Sequence, residues 1–372
     1  MSTMKSGVFY GVGNVKLEER EIPKLENEND VLIKVLRAGI CGSDTGAYKH
    51  GGLGYGIYKG CIFGHEFVGR VEKKGANVAD DIQVGDIVFA DPTKSKRGGM
   101  FLADVCGGFA EYVVVEDAKK EYNIYPLKSD VDLDVAAIIE PLAVGTQGAL
   151  CMNPQPDDNV VVLGAGSIGL CAAAGLINHG IKNVIVIDRN DWKLERAQNL
   201  GAKTINSKTE DVAERLCEMC GEFTANKMNP QYVDPNLFKI IGEMAAEAGM
   251  DPTQRVRAKK PNVQLYVDCA GAKDLLMMSL GMSAEGTKYS IVSVYNENLP
   301  ISGGMFMGEP TLHGSAGYSK ETILEVIDHV ENYRTPLKNV ITAQFALADF
   351  EEAMEKAADK ACKNIKVVIN CE

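Results

Sequence analysis

Apolar positions along the chain follow two different rhythms. Up to about residue 130 they form short runs broken by turn formers: Val31–Leu36 lies between Asn29-Asp30 and Gly39, and Phe67–Val71, Ile87–Phe89 and Ala110–Val115 repeat the theme. Such runs read as strands. Gly51, Gly52, Gly54, Gly56 and Gly60 mark an irregular segment among them. This first part is predicted to be a compact β-rich unit that carries its functional residues on loops.

The second rhythm starts near Asp132 with helix-forming residues that run past Pro141 to Leu150. After the Asn153–Pro156 turn, Asn159–Leu163 is apolar enough to be buried on both faces. An Ala-rich helix to about His179 follows. Then come a strand Asn183–Ile187 ending at Asp188, a helix Lys193–Leu200 and a strand over 201–205. Val263–Asp268 and Tyr289–Val294 supply two more strands. Alternating strands and helices of this kind predict an α/β fold with a doubly wound parallel sheet. The tail offers helices at about Lys320–Tyr333 and Phe350–Asp359 and a last strand Ile365–Ile369. A stretch of about residues 221–261, with Arg255, Arg257, Lys259 and Lys260, has no periodicity and is too long for an ordinary connection, so it reads as an insertion.

Composition narrows the classes. The chain has 372 residues, 45% of them hydrophobic and 24% charged, and a net charge of -12. That charge argues against nucleic acid or an anionic membrane surface as a partner, while leaving room for a small phosphorylated molecule in a local pocket. No apolar run approaches the roughly 20 residues needed to span a bilayer, and no secretory leader is expected. The ten cysteines are scattered, as in a reducing compartment, so a cytoplasmic protein is expected.

Gly164-Ala165-Gly166-Ser167-Ile168-Gly169 follows the buried-looking strand and opens a helix, and Asp188 stands about 20 residues further on. A GxGxxG in that context predicts a dinucleotide site. The glycine backbone (Gly164, Gly166, Gly169) approaches the pyrophosphate, the helix N-terminus at Ser167 and Ile168 faces it, and the carboxylate meets ribose hydroxyls. Asp188 favours NAD over NADP by repelling a 2′-phosphate, with Arg189 beside it as the counter-indication. Ala270, just beyond the strand that ends at Asp268, and Val294, the last residue of the strand after it, complete the candidate cofactor contacts.

Gly64-His65-Glu66 lies downstream of Gly39-Ile40-Cys41-Gly42-Ser43-Asp44, and Glu140-Pro141-Leu142 far beyond both. Cys, His and carboxylate are the ligand set of a zinc that keeps one position open. Together with Gly85-Asp86, the run Gly107–Tyr112 and the glycine-rich loop, these motifs resemble the zinc-dependent medium-chain dehydrogenase/reductases, in particular their sorbitol/polyol and threonine dehydrogenase branch. The resemblance implies a GroES-like β-rich catalytic domain over residues 1–143 and 317–372, around a Rossmann NAD-binding domain over 144–316. It implies that Cys41, His65 and either Glu66 or Glu140 hold the catalytic zinc, that Ser43 passes the proton to solvent, and that Asp44 orients His65. It also implies a small alcohol or sugar-like substrate and a homodimer or homotetramer.

Blander readings stand beside these. Ser43 is also a turn residue, Cys61 a buried thiol, Asp86 and Glu111 loop anchors, and Asp268 a strand-end cap. Tyr48, His50 and Tyr58 read first as solvated loop residues. The resemblance fails in one place: between Asp86 and Gly107 only Cys106 occurs, so the four-cysteine structural zinc is not expected. Cys217 and Cys220 form a lone CxxC on a helical stretch, with no second pair. The leading expectation is a zinc- and NAD-dependent dehydrogenase acting on a secondary alcohol. A threonine-type amino-alcohol dehydrogenase is weakened by the lack of a His in Thr45-Gly46-Ala47. A non-catalytic NAD-binding redox sensor is weakened by the intact ligand set.

Overall fold

A computed structural model describes residues 2–94, 107–223, 243–244, 260–295, 297–301, 308–332 and 335–372. Most of the expected insertion, with Arg255, Arg257 and Lys259, lies outside the described residues, as does Cys106.

Strands β1 (Thr3–Gly11) and β2 (Asn14–Glu21) form an antiparallel hairpin. Next come β3 (Val31–Ile40), β4 (Glu66–Lys74), β5 (Ile87–Ala90), β6 (Tyr112–Val115) and β7 (Ile124–Leu127), all antiparallel to their neighbours. Phe63, Phe109 and Phe350 meet with ring centroids 5.0–5.9 Å apart and anchor the core of this unit.

Strands β8 (Asn159–Leu163), β9 (Asn183–Asp188), β10 (Lys203–Asn206), β11 (Leu265–Asp268), β12 (Lys288–Ile291) and β13 (Thr311–Gly314) form one parallel sheet in the order β10-β9-β8-β11-β12-β13. Val160 and Val162 of β8 enter one core cluster, and Val161 and Leu163 enter the other. That is the period of two expected of a strand buried on both faces. The order reverses between β8 and β11, and ligands of such sheets bind in the crevice opened there. Finally β14 (Ile341–Ala346) and β15 (Lys366–Asn370) return to the first sheet, with β15 antiparallel to β3.

Element bounds differ from the sequence reading in two instructive places. The strand expected over Tyr289–Val294 is regular only to Ile291: the Val292 N–H makes the last ladder bond to the Asp268 carbonyl, and the Ser293 N–H turns back to the same oxygen instead of advancing along the sheet. The strand expected from Val263 starts at Leu265, after a turn in which the Val263 N–H bonds the Pro261 carbonyl.

Two helices bring the sheets together. Ile139–Leu150 carries Glu140 in its first turn, where Pro141 is tolerated because its missing N–H would have no partner there. It packs against Ser167–Asn178, the helix opened by the glycine-rich loop. A Cβ at Gly145 would lie 2.6 Å from the Ala172 nitrogen, and one at Gly175 would lie 2.4 Å from the Thr146 hydroxyl. Glycine at these positions is what lets the two backbones approach.

Candidate metal and dinucleotide site

Cys41 is the N-cap of the helix Gly42–His50. Its sulfur accepts from the backbone of Asp44, and its own N–H donates to Asp44 Oδ2 at 2.8 Å. The other oxygen of that fully buried carboxylate lies 3.9 Å from His65 Nδ1. The carboxylate thus hydrogen-bonds the Cys41 frame, and its second oxygen, buried without a hydrogen-bond partner, faces the His65 ring. Burial pushes Asp44 up to about 6, against the pull of His65. Gly64, at φ +96°, delivers His65 to the site, and any Cβ there would strike the Phe109 ring.

Glu66 opens β4 opposite Gly39 of β3, and a Cβ at position 39 would lie 2.3 Å from Glu66 Oε2. Gly39 thus makes room for the carboxylate. Ligand atoms of Cys41, His65 and Glu66 lie within 4.8 Å of one another, a spacing a single ion can draw together. Glu140 falls outside that group, yet it lies close enough for its charge to act on His65. Burial pushes Glu140 up to about 7 despite the pull of His65. Burial also works to lower the His65 pKa, but Cys41, Asp44 and Glu140 outweigh it and hold the imidazole well above its ordinary value. A site that gathers a thiol, an imidazole and carboxylates that repel one another fits a divalent cation, which would offset the buried negative charge. Ser43 sits half-buried on the first turn of the same helix, while His50 ends that helix in solvent.

Sequence reasoning missed Lys366. It is 2% exposed, donates to Glu66 Oε1 at 2.7 Å and Oε2 at 2.5 Å, and donates to the Ile40 carbonyl at 3.0 Å. Burial opposes its charge, but Glu66 outweighs burial and its pKa is raised. It stands in the strand predicted as Ile365–Ile369, yet no local pattern marks one lysine there as a site residue 300 positions from its partner.

The glycine-rich loop is built on three different grounds. Gly164, at φ +96°, packs against Ala270, and its Cβ would lie 2.9 Å from that methyl. Gly169 has no room, since a Cβ would come within 1.8 Å of the Gly164 carbonyl oxygen. Gly166 is the opposite: its Cβ would meet nothing within 4 Å, so this glycine faces open space. The helix behind it begins without a side-chain cap, and Ser167 Oγ is buried without a partner. Unsatisfied donors at a helix N-terminus beside open space fit a phosphate. Asp188 spans loop and strand: Oδ2 accepts from the Ala165 N–H at 2.9 Å, and Oδ1 accepts from the N–H groups of Arg189 and Asn190 and the Asn190 amide. Arg189 is exposed and Val294 is 81% exposed. Cys171, buried in the helix of this loop, packs on the helix that carries Glu140, since a Cβ at Gly145 would lie 2.8 Å from Cys171 Cβ, so the loop's helix and a carboxylate of the cradle share one helix pair.

Glu111 accepts from the Lys5 N–H and Asp86 from the Gln83 N–H, both at 2.7 Å. Cys61 is buried and its thiol is pushed up to about 12 by burial. Cys217 and Cys220 lie on the helix Val212–Cys220.

Comparison with known proteins adds independent findings. Residues 27–127 match the alcohol dehydrogenase GroES-like domain and residues 167–332 match the zinc-binding dehydrogenase domain. The chain is 26% identical to sorbitol dehydrogenase of Bacillus subtilis (strain 168), over 98% of this chain and 97% of that protein. It is 31% identical to galactitol 1-phosphate 5-dehydrogenase of Escherichia coli (strain K12), over 60% of this chain and 67% of that protein. The solved 2R,3R-butanediol dehydrogenase of Bacillus subtilis superposes with a TM-score of 0.79 at 23% identity, covering 99% of this chain and 100% of that one. No helix among the described residues is long and apolar enough to cross a membrane.

Proposed function

The chain belongs to the zinc-binding dehydrogenases of the alcohol dehydrogenase superfamily, and from that premise we propose that it transfers a hydride between NAD and a secondary alcohol of a polyol, sugar or related hydroxy compound. The observation that carries the reading is the convergence of Cys41, His65 and Glu66 within 4.8 Å, next to a crevice whose glycine loop leaves open space at Gly166. The relatives' names, sorbitol and galactitol 1-phosphate dehydrogenase, support the polyol class.

A zinc held in the cradle would supply the Lewis acidity that lowers the pKa of an alcohol hydroxyl, and a bound nicotinamide would supply the hydride acceptor. The chain's own residues do the rest. Cys41 and His65 hold the metal, and Asp44 keeps both in place. Glu66 or Glu140 completes the set, and Lys366 balances the charge of Glu66 and ties its carboxylate to the sheet. Ser43 takes the alcohol proton and hands it towards solvent. Gly164–Gly169 receive the pyrophosphate, and Asp188 receives the ribose and disfavours a 2′-phosphate.

The reading includes a single zinc, a cytoplasmic setting and a homodimer or homotetramer, the last to be checked by light scattering on the purified chain. The test of function is a panel of polyols, inositols, sugar phosphates, hydroxy-amino acids and monohydric alcohols, followed by NADH absorbance. Turnover of one or more polyol-like secondary alcohols is expected. No turnover of any alcohol by protein carrying its zinc would sink the reading.

A further inference from the structure

Asp268 ends β11 at the carboxyl edge of the parallel sheet, and its residue is 1% exposed. Its side chain accepts from the Ala270 N–H at 3.1 Å on Oδ1, and from the Tyr295 hydroxyl at 2.7 Å and the Ser293 hydroxyl on Oδ2. Its main-chain carbonyl accepts from the N–H groups of Val292 at 3.0 Å and Ser293 at 3.1 Å. One residue therefore gathers the loop that follows β11 and the loop that follows β12.

The arrangement of the second loop shows what this gathering does. Ser293 and Tyr295 are two positions apart, and both turn their hydroxyls to the same carboxylate oxygen. Val294 between them is 81% exposed. The two hydroxyls are held inward on one carboxylate, and the residue between them is left outward, so Val294 is an apolar side chain displayed in solvent by a loop that hydrogen bonds to Asp268 hold in place.

What it is displayed to follows from its neighbours. Gly164 of the phosphate loop packs on Ala270. A Cβ at Gly271, which sits at φ +58°, would lie 3.4 Å from the Val294 carbonyl oxygen and 3.5 Å from Ser293 Cβ. Phosphate loop, Ala270-Gly271 and Val294 thus form one continuous rim across β8, β11 and β12. Asp188 places the adenosine ribose on the β9 side of the phosphate loop. The other half of an extended dinucleotide then runs over β11 and β12, where Val294 stands.

We propose that Asp268 is a positioning residue, clamping Ser293 and Tyr295 so that Val294 is presented as an apolar shelf to the nicotinamide ring. The clamp does not touch the cofactor, and the proposal rests on the reading that the crevice takes a nicotinamide dinucleotide. NADH and ADP-ribose separate the two, because ADP-ribose keeps the phosphates and the adenosine but lacks the ring. Both are titrated against wild type, Tyr295→Phe, the double variant Ser293→Ala with Tyr295→Phe, and Asp268→Asn. NADH binding is read from its fluorescence, and folding from circular dichroism and melting.

Each lost hydrogen bond is expected to weaken NADH about three- to tenfold, with ADP-ribose changed less than about twofold. The emission of NADH bound at saturation should also move towards that of the free cofactor. The hydroxyl variants carry the test if Asp268→Asn does not fold. NADH affinity unchanged in the double variant would overturn the clamp, and so would an equal loss of NADH and ADP-ribose. Wild type that binds neither ligand would remove the dinucleotide reading itself.

Discussion

The metal cradle and the phosphate loop are neighbours made from opposite materials. The cradle is assembled from charged side chains drawn from distant places: Cys41 on a helix cap, His65 and Glu66 at the start of β4, Glu140 on an internal helix and Lys366 on β15. The loop is almost all backbone, six consecutive residues and one carboxylate from the next strand. Buried charges depend on their partners, because removing one leaves the other stranded in low dielectric. A backbone cradle depends on space, because what matters is which Cβ positions are empty. The two halves should therefore fail in different ways.

The largest contrast is catalytic. Cys41→Ala or His65→Ala should lower turnover by about a thousandfold or more, since the metal loses an anchoring ligand. NADH affinity, measured by fluorescence, should stay within about twofold of wild type. Equal losses in both measurements would merge the two halves into one folding unit.

Next in size is the buried ion pair. Lys366→Met leaves Glu66 charged and unpaired, a change of about 3–5 kcal/mol in unfolding free energy. Adding Glu66→Gln should recover most of that loss in a urea melt. If Lys366→Met alone is harmless, the pair is not the counterweight inferred from its geometry.

The loop should answer to space alone. Gly169→Ala forces a Cβ towards the Gly164 carbonyl oxygen at 1.8 Å, so both melting temperature and NADH binding should fall. Gly166→Ala meets no protein atom within 4 Å. It should melt like wild type and still bind NADH about tenfold more weakly, because the new methyl occupies the place of a phosphate. A Gly166→Ala protein with unchanged affinity would move the pyrophosphate elsewhere. Smallest is Asp188→Ala, expected to narrow the preference for NAD over NADP by about tenfold, read as a ratio of kcat/KM values.

The same contrast explains what the sequence could reveal. The glycine loop was legible because all its determinants are local: buried strand, three glycines, helix, then a carboxylate after the next strand. Cys41 and His65-Glu66 were legible as residue types in short motifs. Lys366 was not, because a lysine in a C-terminal strand looks like any solvated lysine until β15 is paired with β3. Gly39 carried no sign of its purpose either, since only the cross-strand register with Glu66 shows whose carboxylate needs the space. Asp268 reads from the sequence as a strand-end cap or turn residue, and its Oδ1 accepts the nearby Ala270 N–H, but the hydroxyls it gathers come from 25 and 27 residues away. Strand starts and ends shifted by a few residues for a related reason: the chain leaves β12 at Ile291 under the pull of Asp268, a long-range bond with no mark in the apolar pattern.

The central claim is that one metal cradle, anchored by Cys41, serves a dehydrogenase whose cofactor is held by separate elements. Metal content by mass spectrometry of purified wild type and Cys41→Ala tests it most directly, with NADH affinity measured on the same samples. The account predicts about one zinc per chain in wild type, close to none in Cys41→Ala, and the same NADH affinity in both. A variant that keeps its full zinc, or a wild type that carries two, would contradict it.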